Sequence, residues 1–290
     1  MRNLQILVCA QRLDNRIRTE YPYTPIQTGK SLHPDVELGF LTDNIGDNIS
    51  DKNNRFCEWC AHYWAWKNIN DVKYIGLCHY RRYFDIELSD TNIERILKKN
   101  DVIVIKQQSV MVSRRQREMD LIRMTSLEDV YIFFDTFLSV YPEYEKQLVE
   151  YFYNSKDSVP YSMVIASKQM YDRICEFIFP VLLKIDEKIK NHGYSRENRA
   201  VAYIGEYVLG LALFCLNLKI YRVPLCFIED DGIARKKTIF RRTKLKIKNA
   251  IAQLGYWIVN FTYPMPSAIK CPPEVRVGLK NDGIIIEKLK

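Results

Sequence analysis

Residues 72–78 read VKYIGLC and run directly into HYRRYF at residues 79–84. The first stretch is a short, nearly continuous apolar run, which predicts a strand buried on both faces of a sheet. The second stretch is polar and basic. Ligands of open α/β sheets bind beyond the carboxyl ends of the strands, so the junction predicts a binding edge at the end of this strand.

Further strands and helices alternate on both sides of this stretch. The predicted strands are 4–9, 36–42, 72–78, 101–106, 159–166 and 220–227, and the predicted helices are 55–68, 91–99, 127–154, 169–191 and 196–215. Such alternation is typical of an α/β fold with a mostly parallel central sheet. The polar segment 107–126 predicts a mobile loop. The aromatic residues of the helix at 55–68 predict that it is largely buried.

The composition excludes several classes of protein. The chain has 290 residues, of which 47% are hydrophobic and 27% charged, which rules out a disordered chain, a collagen and a disulfide mini-scaffold. Its apolar runs are shorter than the roughly 18 residues that span a bilayer, and its start is not typical of a secretory signal, so we expect a cytoplasmic protein. Cys57 and Cys60 form an isolated C-x-x-C pair, and we expect reduced core thiols rather than zinc or redox chemistry.

The formal charge of +8 comes from one segment. Residues 235–250 (RKKTIFRRTKLKIKNA) hold eight of the 43 Lys and Arg, and the remaining 35 balance the 35 acids. This pattern indicates one contact with an anionic surface rather than nucleic-acid binding. An apolar stripe at helical spacing overlaps the basic residues: Leu245, Ile247, Ala250, Ile251, Leu254 and Ile258. We expect 233–290 to attach to the inner membrane surface; alternatively, the stripe packs on the protein's own core.

Arg81 and Arg82 are the strongest candidates for ligand binding. Guanidinium groups match phosphate oxygens with two parallel hydrogen bonds, and these two follow a buried strand. The alternative is that both are surface arginines stacked on tyrosines. A second candidate is the loop between the predicted second strand and the helix, where Asp47, Asn48, Ser50, Lys52 and Asn53 could bind a sugar or a phosphate. It could equally be an ordinary polar loop.

Glu206 lies within the apolar helix at 196–215, where a carboxylate requires a partner or a function. It could act as a general base, or it could form a core salt bridge with Arg196 or Arg199. Asp43 and Asp47 are weaker candidates for the base. The sequence contains no G-x-G-x-x-G, Walker A or G-x-S-x-G motif, and its four histidines make no metal-binding pattern.

Several of these motifs together resemble one bacterial family. Lys52–Asn53, YWAWKN at 63–68 and HYRRYF at 79–84 are similar to a family of capsular and exopolysaccharide glycosyltransferases with the HYRRYF signature, which includes galactofuranosyltransferases and was formerly a domain of unknown function. The resemblance covers residues 4 to about 230. The chain departs from the family in having Gln11–Arg12 where a His-Lys pair is usual, and in its middle loop.

The resemblance implies a GT-A-like, Rossmann-type domain over residues 1–232, followed by the helical C-terminal segment 233–290. It implies an inverting hexosyltransferase that moves a sugar, with galactofuranose as one candidate, from a UDP-sugar to a lipid-linked oligosaccharide. Enzymes of this fold commonly carry an Asp-x-Asp at the end of a central strand to hold a metal. VKYIGLC is followed instead by HYRRYF, so we expect no metal and no other cofactor.

The chemistry of the residues and the resemblance together suggest roles for individual residues. The expected donor-binding residues are Gln11, Asp47, Asn48, Lys52, Asn53, His79, Tyr80, Arg81 and Arg82. Glu206 is the expected catalytic base, and Arg199 and Tyr203 are the expected acceptor-binding residues. The alternative function is a non-catalytic protein that binds an anionic glycan or a nucleotide.

Overall fold

The strands lie in one sheet in the computed structural model, which describes residues 2–106, 116–155, 158–189, 199–229, 234–235 and six positions between 247 and 258. The strands within this part of the chain are β1 (Arg2–Ala10), β2 (Tyr23–Gln27), β3 (Leu41–Thr42), β4 (Val72–His79), β5 (Arg82–Phe84), β6 (Val102–Ile105), β7 (Val164–Ser167), β8 (Ile220–Val223), β9 (Leu225–Ile228) and β10 (Ala234–Arg235).

The helices alternate with these strands along the chain. They are α1 (Asn53–Phe56), α2 (Trp59–Asn68), α3 (Asp90–Leu97), α4 (Gln116–Met124), α5 (Leu127–Val140), α6 (Glu145–Val149), α7 (Lys168–Lys188) and α8 (Ala200–Cys215). Short 3-10 turns cover Lys30–Leu32, Ser50–Lys52 and Pro142–Tyr144, and a π-helical turn covers Glu150–Asn154. None of the described helices is long and apolar enough to cross a membrane.

The main sheet has the order β3-β2-β1-β4-β7-β6-β8. β7 pairs antiparallel with both β4 and β6, whereas the other neighbouring pairs are parallel, so six of these seven strands point the same way. β5, β9 and β10 continue from the end of β4 as a small antiparallel extension. The predicted α/β fold with a mostly parallel sheet is therefore confirmed.

The chain divides into two compact units that interleave along the sequence. The first comprises Met1–Lys106, Val159–Phe179 and Leu216–Lys236 and contains all the described strands. The second comprises Gln107–Ser158, Pro180–Cys215 and Lys237–Lys290. The predicted boundary between residues 232 and 233, and most of the predicted C-terminal segment, lie outside the described residues.

β1 and β4 form the centre of the first unit because their side chains are apolar on both faces. Ile6, Leu77 and Cys78 have no exposed surface. At Gly76 a Cβ atom would lie 2.7 Å from Ile165 Cγ1 and 2.8 Å from Ile6 Cδ1, so glycine allows this close packing across the sheet. The burial of each large apolar side chain contributes about 1.5–3 kcal/mol.

The second strand is not where the sequence predicts it. β2 (Tyr23–Gln27) pairs with β1, whereas only Leu41–Thr42 of the predicted strand 36–42 is extended in the sheet. Pro25 makes β2 hard to identify as a strand, because proline has no backbone N–H to donate to a neighbouring strand. It is tolerated because β3 pairs only with Ile26 and Gln27, so Pro25 has β1 as its sole strand neighbour among the described residues.

Other boundaries also differ from the prediction. Residues 107–115 lie outside the described part of the chain, but Gln116–Met124 of the predicted mobile loop is helix α4, and it buries Met119 and Leu121. The predicted helix at 55–68 is broken at Cys57, whose φ is 50°. Pro224 separates β8 from β9, because its ring interrupts the predicted strand 220–227. The aromatic residues of α2 are largely buried, as predicted: Trp59 and Trp64 are both core residues.

The second unit has its own aromatic core. Phe133 and Phe134 of α5 contact Phe152 with ring centroids 5.7 and 4.8 Å apart. The buried Arg117 guanidinium lies over the Tyr151 ring with its Cζ 3.8 Å from the centroid, which is favourable for a cation and an aromatic ring. Gly210 of α8 makes room for Tyr151, since a Cβ there would lie 2.0 Å from the tyrosine hydroxyl.

Candidate functional site

The carboxyl ends of β1, β2, β3 and β4 meet at one edge of the sheet because these four strands are parallel. Backbone hydrogen bonds join the segments that leave them: Thr28 N–H donates to the Ala10 carbonyl at 3.0 Å, and Tyr80 N–H donates to the Cys9 carbonyl at 3.3 Å. Open α/β sheets bind ligands at such an edge. We refer to the residues that follow these four strands, with Asn53 and Glu58, as the carboxyl edge.

HYRRYF forms a tight hairpin at this edge. His79, the last residue of β4, pairs with Arg82, the first of β5, so Tyr80 and Arg81 form a two-residue turn. Arg81 Cζ lies 4.9 Å from the Tyr80 ring centroid, and Arg82 Cζ lies 4.8 Å from that of Tyr161. The predicted stacking on tyrosines is therefore present.

Stacking does not use the hydrogen-bonding capacity of these two arginines. A guanidinium that lies over a ring uses its face, and its N–H groups remain in its own plane. No carboxylate of the described residues lies within ion-pair distance of Arg81 or Arg82, and both side chains are partly exposed. The hairpin therefore offers two positive charges to an anion.

His79 is oriented by two oxygen atoms. Its Nε2 lies 2.8 Å from the Tyr161 carbonyl and 3.8 Å from Glu58 Oε1. A carbonyl only accepts hydrogen bonds, so Nε2 carries the proton. Glu58 precedes α2, and the sequence analysis assigned it no role. A carboxylate in the loop before an aromatic helix gives no signal of its own in a single sequence.

Gln11 and Asn53, both predicted donor-binding residues, are in contact. Gln11 Nε2 donates to Asn53 Oδ1 at 2.5 Å, and Asn53 Nδ2 donates to the Cys57 carbonyl at 2.9 Å. Gly29, with φ of 72°, packs on Asn53 so closely that a Cβ would lie 2.6 Å from its Oδ1. The segment after β1 and the first residue of α1 therefore bring an amide pair to the carboxyl edge.

Asp43 holds the loops of this edge together. It is fully buried; its carboxylate accepts hydrogen bonds from the backbone N–H groups of Gly29 (2.8 Å) and Lys30 (3.2 Å) and from the Ser50 hydroxyl (2.5 Å). Burial raises the pKa of Asp43, and these hydrogen bonds oppose the rise. Each carboxylate oxygen already has a donor, which favours a structural role over the weaker alternative of a catalytic base.

The predicted loop residues are held mainly by local contacts. Asp47 is exposed and accepts a hydrogen bond from the Tyr63 hydroxyl at 3.1 Å. Asn48 bridges the Gly46 carbonyl and the Ser50 N–H. Lys52 ends a 3-10 turn directly before α1 and is partly exposed. All three lie in the segment between β3 and α1.

Two further arginines near the hairpin were missed by the sequence analysis. Arg16 is buried beside Asp14, with which it forms an ion pair at 2.6 Å, and its Cζ lies 5.5 Å from the Tyr80 ring centroid. The hydrogen bond from Arg16 lowers the pKa of Asp14 to about 2. Arg18 lies over the Tyr83 ring at 4.7 Å. Nothing in the polar run 11–20 singles out these two arginines, because the rings that they face, Tyr80 and Tyr83, are distant in sequence.

The other predicted residues belong to α8, in the second unit. Glu206 is partly exposed on this otherwise apolar helix, and so is Tyr203. Arg199 is exposed directly before the helix, and its carbonyl accepts the Tyr203 N–H at 3.1 Å. Arg196, one of the two alternative partners for Glu206, lies outside the described residues.

Metal-ligating side chains do not cluster in the part of the chain that the structure describes: no three His, Cys, Asp or Glu residues gather there as a metal site would require. Cys57 and Cys60 do not form a disulfide, and Cys60 Sγ contacts the Ile49 carbonyl at 3.2 Å.

The predicted amphipathic segment is described at six positions, all of them helical. Four of its apolar side chains are exposed: Ile247 (55%), Ile251 (67%), Leu254 (59%) and Ile258 (51%). Spacings of four, three and four residues place them on one face of a helix. The alternative in which these four side chains pack into the protein core does not agree with their exposure. The Lys and Arg residues between positions 236 and 248 lie outside the described residues.

Comparison with known proteins gives a family and a structural relative. The family model described as "Domain of unknown function (DUF4422)" matches residues 5–214. The fold is similar to the apo structure of the WbbM bifunctional glycosyltransferase, with a TM-score of 0.67 and 23% identity over 78% of this chain. The chain spans 45% of the length of that structure. This likeness supports the predicted GT-A-like fold. No curated protein gave a match.

Proposed function

The chain belongs to the family described as "Domain of unknown function (DUF4422)", and from this premise we propose that it is a glycosyltransferase. It transfers a hexosyl group, for which galactofuranose is our candidate, from a UDP-sugar to a lipid-linked glycan of capsule, exopolysaccharide or O-antigen synthesis. The observation that carries the proposal is the hairpin of His79–Arg82, in which two arginines without a carboxylate partner among the described residues follow the central strand. The fold likeness to a glycosyltransferase supports it.

In this proposal Arg81 and Arg82 bind the donor diphosphate. The Tyr80 and Tyr161 rings hold the two guanidinium groups in place, and the N–H groups of both arginines donate to the phosphate oxygens. Gln11 and Asn53 supply amide groups at the same edge, and His79 lies next to the turn. Asp47, Asn48 and Lys52 are proposed to contact the donor from the loop before α1.

Charge develops on the UDP leaving group as its bond to the sugar breaks. Two fixed guanidinium groups can stabilise that charge, which is the task of a metal ion in many enzymes of this fold class. We therefore propose that the reaction is independent of a divalent metal. The proposal rests on the chemistry of the HYRRYF turn, which replaces a carboxylate pair at the end of β4.

We assign the general base to Glu206. Its carboxylate takes the proton of an acceptor hydroxyl, whose oxygen forms a bond to the anomeric carbon on the face opposite UDP. The bond from that carbon to the diphosphate breaks, UDP leaves with the electron pair, and the anomeric configuration inverts. Arg199 and Tyr203, the first near the start of α8 and the second one turn before Glu206, are proposed to bind the acceptor.

A lipid-linked acceptor places the protein at the inner face of the plasma membrane as a peripheral protein. The concentration of eight Lys and Arg in residues 235–250 supports this location, and so do the exposed Ile247, Ile251 and Leu254. A basic helix with an apolar face binds anionic lipid through both features.

A nucleotide panel tests the proposal. Thermal unfolding is followed with UDP, GDP, CMP and dTDP, each with and without its sugar, because a ligand of the native state raises the midpoint. We expect UDP and a UDP-sugar to give the largest increase, and we expect UDP to be released from the UDP-sugar over time. Binding without release, in the presence of membranes that carry the acceptor, would identify the non-catalytic alternative.

A further inference from the structure

Tyr161 and Ser162 form an unusual turn beside the candidate donor site. Their φ angles are 70° and 53°, so two consecutive residues other than glycine are left-handed. Side chains disfavour this conformation, and it persists where neighbouring contacts enforce it. The turn directly precedes β7, whose Val164 pairs with Leu77, so it lies beside the carboxyl end of β4.

Both residues of this turn contribute to the site. The Tyr161 carbonyl accepts the hydrogen bond of His79 Nε2 at 2.8 Å, and the Tyr161 ring underlies the Arg82 guanidinium. Ser162 is completely buried, and its hydroxyl has no hydrogen-bond partner among the described residues. The side chain of Ser162 therefore does not explain why the turn is left-handed.

His62 holds the turn from the opposite side. This histidine, on α2, is buried, and its Nε2 lies 2.9 Å from the Ser162 carbonyl. Its Nδ1 lies 2.7 Å from the Tyr171 hydroxyl. The ring contacts the rings of Trp59 and Tyr171, with centroids 4.7 and 5.8 Å away. Because a carbonyl only accepts, Nε2 carries the proton and Nδ1 accepts from Tyr171. Burial lowers the pKa of His62 to about 3, so the ring stays neutral at physiological pH.

We propose that His62 is a positioning residue for donor binding: by donating its Nε2–H to the Ser162 carbonyl, it holds the left-handed Tyr161–Ser162 turn that orients His79 and Arg82. The identity of the ligand, UDP, rests on the proposed function. The support that His62 gives to the turn rests on the hydrogen bonds alone. Glu58 and His62 lie one helical turn apart, so the start of α2 supports His79 directly and through the turn.

Two variants of similar size separate the two hydrogen bonds of His62. In His62→Gln the side-chain amide nitrogen has the reach of Nε2, and in His62→Asn it has the reach of Nδ1. We expect His62→Gln to bind UDP within about threefold of the unchanged protein. We expect His62→Asn to bind it about tenfold more weakly, the order expected when one hydrogen bond is lost. Tyr171→Phe keeps the bond to Ser162 and serves as the control that binds UDP normally.

Nitrogen NMR of the histidine rings gives a readout that needs no ligand. In the unchanged protein and in His62→Gln we expect the His79 proton on Nε2; in His62→Asn we expect the His79 signals to shift towards a tautomer mixture. If His62→Asn does not fold, the additional change Ser162→Gly lowers the cost of the left-handed turn and allows the comparison.

The two readouts distinguish the possible outcomes. Equal UDP affinities for His62→Asn and His62→Gln, with unchanged His79 signals, would overturn the positioning role. If the unchanged protein does not bind UDP, the proposed function fails, and the His79 tautomers alone decide whether His62 holds the turn.

Discussion

The guanidinium of Arg82 lies over the ring of Tyr161, with 4.8 Å between Cζ and the ring centroid, although the two residues are 79 positions apart in the chain. The contact joins the hairpin at the end of β4 to the turn before β7. It restrains the position of the guanidinium that we assign to the donor diphosphate. Stacking on tyrosine and phosphate binding are therefore compatible roles for the same arginine.

Removal of either hairpin arginine is expected to weaken donor binding. Arg81→Ala and Arg82→Ala each lose a charge-assisted hydrogen bond, worth about 1.5–3 kcal/mol, so the dissociation constant of UDP should rise by roughly 10- to 150-fold. Isothermal titration calorimetry measures this change. Arg95→Ala, an exposed arginine of α3, is the control and should leave UDP binding unchanged. Normal UDP affinity in both hairpin variants would refute the assignment.

Glu206→Gln tests the catalytic base. The amide keeps the shape of the side chain but cannot take a proton from the acceptor, so the rate of transfer should fall by about two orders of magnitude or more. UDP binding and the thermal midpoint should stay close to those of the unchanged protein. Glu145→Gln, an exposed glutamate of α6, is the matched control. An unfolded Glu206→Gln protein would instead support the salt-bridge alternative for this residue.

The buried His62 predicts a stability that falls in mild acid. Burial lowers its pKa in the folded protein to about 3 from an ordinary 6.5, so between these values the unfolded state binds the extra proton. The contribution of the neutral His62 to the free energy of unfolding is complete above pH 6.5. It is lost as the pH falls towards 3, by up to about 1.4 kcal/mol per pH unit. Urea unfolding at pH 7 and pH 5 should show a smaller loss in His62→Gln. Identical losses in both proteins would mean that His62 takes up a proton without unfolding.

The amphipathic segment at 235–258 predicts binding to anionic vesicles. Its exposed Ile247, Ile251 and Leu254 can enter the interface, and each nearby basic residue adds about 1 kcal/mol on anionic lipid. Sedimentation with vesicles of phosphatidylglycerol and phosphatidylcholine should show binding that weakens with salt. Replacement of the bases of 235–250 by Gln should abolish it. A protein that stays in the supernatant at low salt would exclude the membrane proposal.

Much of the fold could be predicted because the buried strands have a strong local pattern. VKYIGLC and the apolar run at 4–9 identify the two central strands, and the alternation of strands and helices identifies the class. β2 was missed because Pro25 is unusual in a strand and is tolerated only where β3 does not extend. α4 was missed because most of its residues are polar or charged, so the few apolar residues that it buries, such as Met119 and Leu121, give only a weak helical pattern.

The candidate site was predicted only where its residues are neighbours in sequence. The pair Arg81–Arg82 is visible as a motif, whereas Glu58, His62 and Tyr161 acquire their roles from partners 21 to 100 positions away. His62 reads as one more residue of an aromatic helix. Its hydrogen bond to the Ser162 carbonyl depends on the left-handed turn at Tyr161–Ser162. The sequence does not indicate this turn, because neither residue is a glycine.

The release of UDP tests the central claim most directly. The full chain is mixed with UDP-galactofuranose, EDTA and membranes that carry lipid-linked glycan, and UDP is measured over time beside Arg82→Ala and Glu206→Gln. We predict that the unchanged protein releases UDP and elongates the glycan in EDTA, and that both variants are slower. No release of UDP from this or any other UDP-sugar, with manganese or without it, would contradict the proposal that the protein is a glycosyltransferase.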